Sequence, residues 1–159
     1  MPFTPLHLGP GLLSKGASPR NVSIIAFGAS QVAVDLEPLY HHVRHELPLH
    51  RAFHTVLGGG AVGLAAGAAV WLVARHRARA LPRGLRLDIE RDAALTGGLI
   101  GGVSHALLDG FVHSDVHALR PFAETTWVLP PAGIAAVPWA CVIAGVLGAL
   151  LWVARSRAS

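Results

Sequence analysis

From Val56 to Ala74 the chain carries no charged residue. A bilayer core is crossed by roughly 20 apolar residues in a helix, so this run is long enough to span one. Arg75, Arg77 and Arg79 close it. Two further runs follow. Ala93–Val112 is apolar apart from His105 and Asp109, and Ala132–Ala154 is uncharged up to Arg155 and Arg157. Backbone polar groups find no partners in lipid, so such runs must be helical. Pro138, early in the third run, predicts a kink.

The N-terminal part is more broken. Phe3–Leu13 is short and carries Pro5, Gly9, Pro10 and Gly11, while Ser23–Leu36 is apolar but short for a full crossing. Between them Lys15–Asn21 is polar and basic. Two half-length or tilted helices in a hairpin are expected, or a crossing by the second alone. The expected fold is an all-α polytopic membrane bundle of about four spanning segments with a short N-terminal helix hairpin. Residues 1–159 form a single membrane-embedded domain.

Composition agrees. Charged residues are 14% and hydrophobic residues 52%, where soluble domains average about 25% charged. A disordered chain, a coiled coil and an ordinary soluble enzyme are excluded. The net charge of +4 does not point to nucleic acid, because the basic residues lie beside the apolar runs, where topology accounts for them. Met1–Leu13 has no basic segment ahead of its apolar part, so a cleaved leader is not expected. The single Cys141 excludes a disulfide framework and a cysteine-rich zinc module.

Charge also orients the bundle. Six arginines (Arg75, Arg77, Arg79, Arg83, Arg86 and Arg91) occupy the loop before the second run, Arg155 and Arg157 the tail, and Lys15 and Arg20 the first turn. All can be cytoplasmic together if every run crosses, as the positive-inside rule favours. Glu37–Thr55 and His113–Pro131 then face outward. Small residues four apart (Gly59, Gly63, Gly67; Gly97, Gly101) predict close helix approach, within the chain rather than across a dimer seam.

Ten histidines in so apolar a chain are the anomaly. Asp35-Leu36-Glu37-Pro38 places two acids at the mouth of an apolar helix, with Pro38 expected to end it. His50 and His54 are four apart and share a face if helical, a spacing that suits metal ligation by imidazole. No glutamate follows His50, so the zinc-protease helix motif is absent. His105, Asp109 and His113 follow four-residue steps along one face, and ionisable residues inside a span point to function. His113-Ser114-Asp115-Val116-His117 extends this set into a loop. His41, His42, His45 and His76 read as interfacial or topological. Each element has a plainer reading, as a helix end, an interfacial pair, a packing hydrogen bond or a solvated loop. Together they supply the mixed histidine and carboxylate set that an open catalytic metal site needs.

At these residues the chain resembles a family of small membrane-embedded metal-dependent hydrolases, some of which carry the name LexA-binding, inner membrane-associated hydrolases. The resembling motifs are His7-Leu8, Asp35-Leu36-Glu37, His50-Arg51…His54 and Ser104-His105…Asp109, in the family's order over most of the first 120 residues. The acid pair is Asp-Glu where many relatives have Asp-Asp, the His-Arg…His spacing is one shorter, and Thr55 follows His54. The resemblance implies a hydrolase of the bacterial inner membrane and adds His7 to the ligand set.

The expected ligands are therefore Asp35, His50, His54, His105, Asp109 and His7, holding zinc, or else manganese or iron. Glu37 or His113 is expected to transfer protons. Arg51 and Arg120 are expected to hold an anionic group of a phosphoester or lipid-like substrate. The bilayer is the expected partner, with the site near its extracytoplasmic face. The rival readings are a non-catalytic metal-binding or transport protein, a haem protein with His54 and His105 as axial ligands, and a scaffold whose His–Asp pairs only fix packing.

Overall fold

The structure is a computed structural model that describes residues 5–77 and 82–158. A 3-10 turn over Pro5–His7 leads into α1 (Leu8–Ala17), followed by α2 (Ile24–Val43), α3 (Val56–Arg77), α4 (Arg83–Asp88), α5 (Arg91–Val112) and α6 (Pro131–Ala158). Among the described residues there is no strand. Arg79 and Phe3, which entered the topology reading, lie outside the described residues.

Among the described residues three helices, not four, are both long and apolar enough to cross a membrane: Val56–Arg77, Arg91–Val112 and Pro131–Arg157. The N-terminal hairpin forms as α1 and α2, but unequally. α2 has 20 residues, so it is about 30 Å long, yet its last part carries Asp35, Glu37, His41 and His42 and is too polar to count as a fourth apolar span. Pro38 does not end α2, as the sequence suggested; it lies inside the helix and is buried. Proline removes one N–H and disfavours helix at the residue before it, and here the helix tolerates both for one and a half further turns.

Burial is inverted relative to a water-soluble bundle. Large side chains such as Leu72, Val73, Ile143, Val146 and Leu150 face outward, while glycine and alanine fill the helix contacts. In lipid, apolar burial gives little drive to helix association, so close backbone packing decides it. α3 and α5 run antiparallel with Gly59 against Gly102, Gly63 against Gly98 and Gly67 against Ala94. A methyl group at Gly63 would collide with the carbonyl of Gly98. The glycine spacing therefore serves packing within the chain. α6 packs mainly on α1, where Gly9 meets Cys141 and Gly16 meets Gly148.

The polar ends are separate. At one end, buried Lys15 directs its three N–H donors to Asp88 Oδ1 at 2.6 Å, Pro19 O at 2.6 Å and Val22 O at 2.9 Å. Asp88 also accepts from Ser23 Oγ at 3.1 Å, beside the positive N-terminus of α2. Ser23 caps that helix by accepting from the Ala26 N–H at 3.1 Å. Arg155 donates to the carbonyls of Gly16 and Ala17. The C-terminus of α3, with Arg75 and Arg77, and the N-terminus of α5, with Arg91, lie at this basic end. The C-terminus of α2, the loop before α3 and the C-terminus of α5 meet at the other.

Candidate metal centre

At that opposite end Asp35 from α2, His54 from the loop before α3, and His105 and Asp109 from α5 converge. One ligand atom from each lies within 4.8 Å of all the others, and all four residues are buried. His105 and Asp109 are one helical turn apart, so α5 presents both on the same face. Gly101, one turn earlier on that face, lies so close to Ser30 and Phe27 of α2 that a Cβ there would clash with both. That approach carries Asp35 to His105.

The ring nitrogens are sorted by their outer partners. Gln31 donates from its amide nitrogen to Gly101 O at 2.9 Å, so its amide oxygen is left to accept from His105 Nδ1 at 2.7 Å. Glu37 accepts from His54 Nδ1 at 3.2 Å. Amide oxygens and ionised carboxylates only accept, so in each ring Nδ1 carries a hydrogen, and Nε2 is the nitrogen left to ligate. Both Nε2 atoms are buried without a hydrogen-bond partner. His54 is 0% and His105 1% exposed, so water does not satisfy them from outside.

Both Nε2 atoms face Asp109. Oδ2 lies 3.4 Å from His54 Nε2 and 3.3 Å from His105 Nε2, and Asp35 Oδ1 is also 3.3 Å from His105 Nε2. Tetrahedral ligands about 2.0–2.1 Å from a zinc ion stand about 3.3 Å from each other. Three of the separations within the group match that spacing. The rings of His54 and His105 are 5.3 Å apart with Asp109 Oδ2 at both Nε2 atoms, which leaves no gap for a tetrapyrrole plane between them.

The remaining predicted residues sort into three positions. His7 borders the cluster, with Nε2 3.8 Å from Asp109 Oδ1 and its ring 5.0 Å from His105. Burial lowers its pKa, reinforced by His105 against the opposing pull of Asp109, so the ring favours its neutral form. His50 and His113 form a second group with Asp109, again with ligand atoms within 4.8 Å. Burial, with His50 adding to it, likewise lowers the His113 pKa despite Asp109.

Glu37 stands behind His54. Besides His54 it accepts from the backbone N–H groups of Arg51 at 2.9 Å and Phe53 at 3.0 Å. Burial would raise its pKa, but these hydrogen bonds overcome that and hold it below the usual carboxylate value. The arginines are engaged elsewhere. Arg51 donates to Pro48 O and Glu46, and Arg120 pairs with Glu124 at 2.5 Å. Neither lines the cavity described below.

His50 and His54 are close, with rings 4.5 Å apart, but not because they share a helix face as the spacing suggested. Residues 50–55 are loop and turn. Carboxylates replace helical carbonyls as partners of this backbone: Asp115 accepts from His50 N at 3.3 Å and Glu37 from Arg51 and Phe53. Gln31 was missed in the sequence. Its signal was available: it stands one helical turn before Asp35 in an otherwise apolar stretch.

A cavity of about 700 Å³ opens beside the centre. Asp35, His50, Asp109, His113 and Asp115 line it together with Pro38, Leu39, Leu47 and Leu49. It offers carboxylates and imidazoles beside apolar walls.

No family model, curated protein or solved structure matches this chain.

Proposed function

We propose that the chain is a membrane-embedded metal-dependent hydrolase. Asp35, His54, His105 and Asp109 hold a divalent transition ion, zinc before manganese or iron. The observation that carries this reading is the pair of buried, unpartnered Nε2 atoms of His54 and His105, each aimed at Asp109. An unmet buried polar atom costs about 1–3 kcal/mol, and a cation meets both at once. The mixture of imidazole and carboxylate, without thiolate, is the donor chemistry of catalytic zinc sites rather than of cysteine-type structural ones.

A bound ion would supply Lewis acidity and would lower the pKa of a water in contact with it. The protein's own groups do the rest. Gln31 and Glu37 hold the histidines in the ligating tautomer. Glu37 is engaged by three N–H groups, so proton transfer falls to groups that line the cavity. The apolar wall of Leu39, Leu47 and Leu49 suits the hydrocarbon part of a lipid-like molecule, and the reading takes a phosphoester or related bond as the one cleaved. The motif resemblance at His7, Asp35, His50 and His105 supports the same class. With the basic end cytoplasmic, the centre lies near the extracytoplasmic face of a bacterial inner membrane.

The test is elemental analysis of detergent-purified wild type and His105→Ala, followed by hydrolysis assays on phosphoester and amide lipids with and without chelator. Bound metal in the wild type, lost in a folded His105→Ala protein, and chelator-sensitive turnover are expected. Full turnover by metal-free protein would overturn the mechanism. Metal without turnover on either lipid class would leave a binding protein and remove the hydrolase assignment.

A further inference from the structure

The buried centre does not use His50 and His113, yet both reach Asp109. Their rings are 4.7 Å apart, and His50 in turn is 4.5 Å from His54. The imidazoles of His105, His54, His50 and His113 thus form a continuous row, with Asp109 common to the ligand groups at its two ends. His50 repeats the arrangement of His54. Its Nδ1 donates to Asp115 at 2.9 Å, which leaves Nε2 as the nitrogen that can ligate. Among the described residues, the side-chain cations and N–H groups that meet Asp35 and Asp109 are histidine nitrogens.

We propose that the chain binds two divalent cations, bridged by Asp109: the buried ion of the preceding section and a second one on His50 and His113 at the cavity wall. The proposal rests on the metal-centre reading above. Three observations carry it. First, one carboxylate belongs to both ligand groups, and a carboxylate has two oxygens with which to bridge. Second, the outer partner of His50 is a carboxylate, the same device that orients His54. Third, the charges balance. Ligating imidazoles are neutral, so Asp35, Glu37, Asp109 and Asp115 put four negative charges on and directly behind the two ligand groups, which one divalent ion neutralises by half and two neutralise in full.

The two positions differ in access. His50 and His113 are half-buried and line the cavity, whereas His54 and His105 are fully buried and do not. The second ion is therefore the one a substrate in the cavity meets, and it is the weaker and faster-exchanging of the two. His113 acts as its ligand and not as a proton carrier. Paired ions about 3.5–4 Å apart clamp both the attacking and the leaving oxygen of a displacement.

The test loads detergent-purified full-length protein with Zn²⁺ for stoichiometry and with Mn²⁺ for electron paramagnetic resonance. Two zinc ions per chain are expected in the wild type, and one in His113→Ala and in His50→Ala with helicity retained. With Mn²⁺ the wild type gives the signal of an exchange-coupled pair, and His113→Ala the six-line signal of an isolated ion. The wild-type signal needs no variant, and His113→Gln serves if the alanine variant does not fold. One zinc in the wild type, lost in His105→Ala but unchanged in His113→Ala, would overturn the second ion and leave the first. Two zinc ions retained in His113→Ala would place the second ion elsewhere and overturn the proposal. No zinc in the wild type would overturn both readings.

Discussion

Oε1 of Gln31 lies 2.7 Å from Nδ1 of His105, and the same amide holds the backbone of α5 through Gly101 O. One side chain on α2 thus sets the tautomer and the plane of a histidine on another helix. Replacing Gln31 by leucine keeps the volume and removes the acceptor. Zinc affinity should fall about 10- to 100-fold, measured by competition with a chromophoric chelator. Gln31→Glu restores an acceptor and should recover part of the loss.

Glu37 ties the loop before α3 by accepting from Arg51, Phe53 and His54. Glu37→Ala leaves those donors unmet, a cost of about 1–3 kcal/mol. Amide hydrogen exchange at Arg51 and Phe53 should speed up by about ten- to a hundred-fold, with α6 unaffected. Unchanged exchange would show that the loop is held by other means.

The α3–α5 seam has no room at Gly63. Gly63→Leu should abolish the folded monomer in detergent, seen by size exclusion and helicity. Gly84, with open space around it, is the control; Gly84→Ala should behave as wild type.

Asp88 meets Lys15 at the far end of the bundle, both largely buried, with side chains 12% and 5% exposed. Breaking a buried pair by removing one partner costs about 3–5 kcal/mol. Asp88→Ala should lower thermal stability by that order while the remaining folded protein keeps its full metal content. Loss of metal in the folded fraction would mean that the two ends are coupled.

Metal loading should weaken in acid. Histidine ligates only as the neutral ring, so binding and protonation compete. The buried centre has two histidines, so zinc affinity should fall by about two decades per pH unit once both rings titrate. A pH series of zinc titrations between about pH 7 and 5 checks the slope, and a flat profile would argue against imidazole ligation.

Much of this was legible in the sequence because membrane runs and ligand types are local signals. Val56–Ala74, Ala93–Val112 and Ala132–Ala154 lie within α3, α5 and α6, since uncharged stretches in lipid have only the helix available. Asp35, His54, His105 and Asp109 were legible as ligand types in an apolar context. The number of spans was less legible, because α2 has the length of a crossing without the hydropathy. Whether the segment carrying His50 and His54 is helix or loop was not legible, because its stabilising partners, Glu37 and Asp115, are distant in sequence. Arg51 and Arg120 looked like anion binders, and only the structure shows their guanidinium groups already paired with Glu46 and Glu124.

The four buried ligands are drawn from residues 35, 54, 105 and 109, on either side of α3. A nascent chain that has emerged only as far as α3 holds half of them, and the missing half arrives with the last turns of α5. Any ion at this centre is therefore acquired late in biogenesis, after that helix has docked, from the compartment onto which the cavity opens. Supply of the metal in that compartment would set how much of the protein matures.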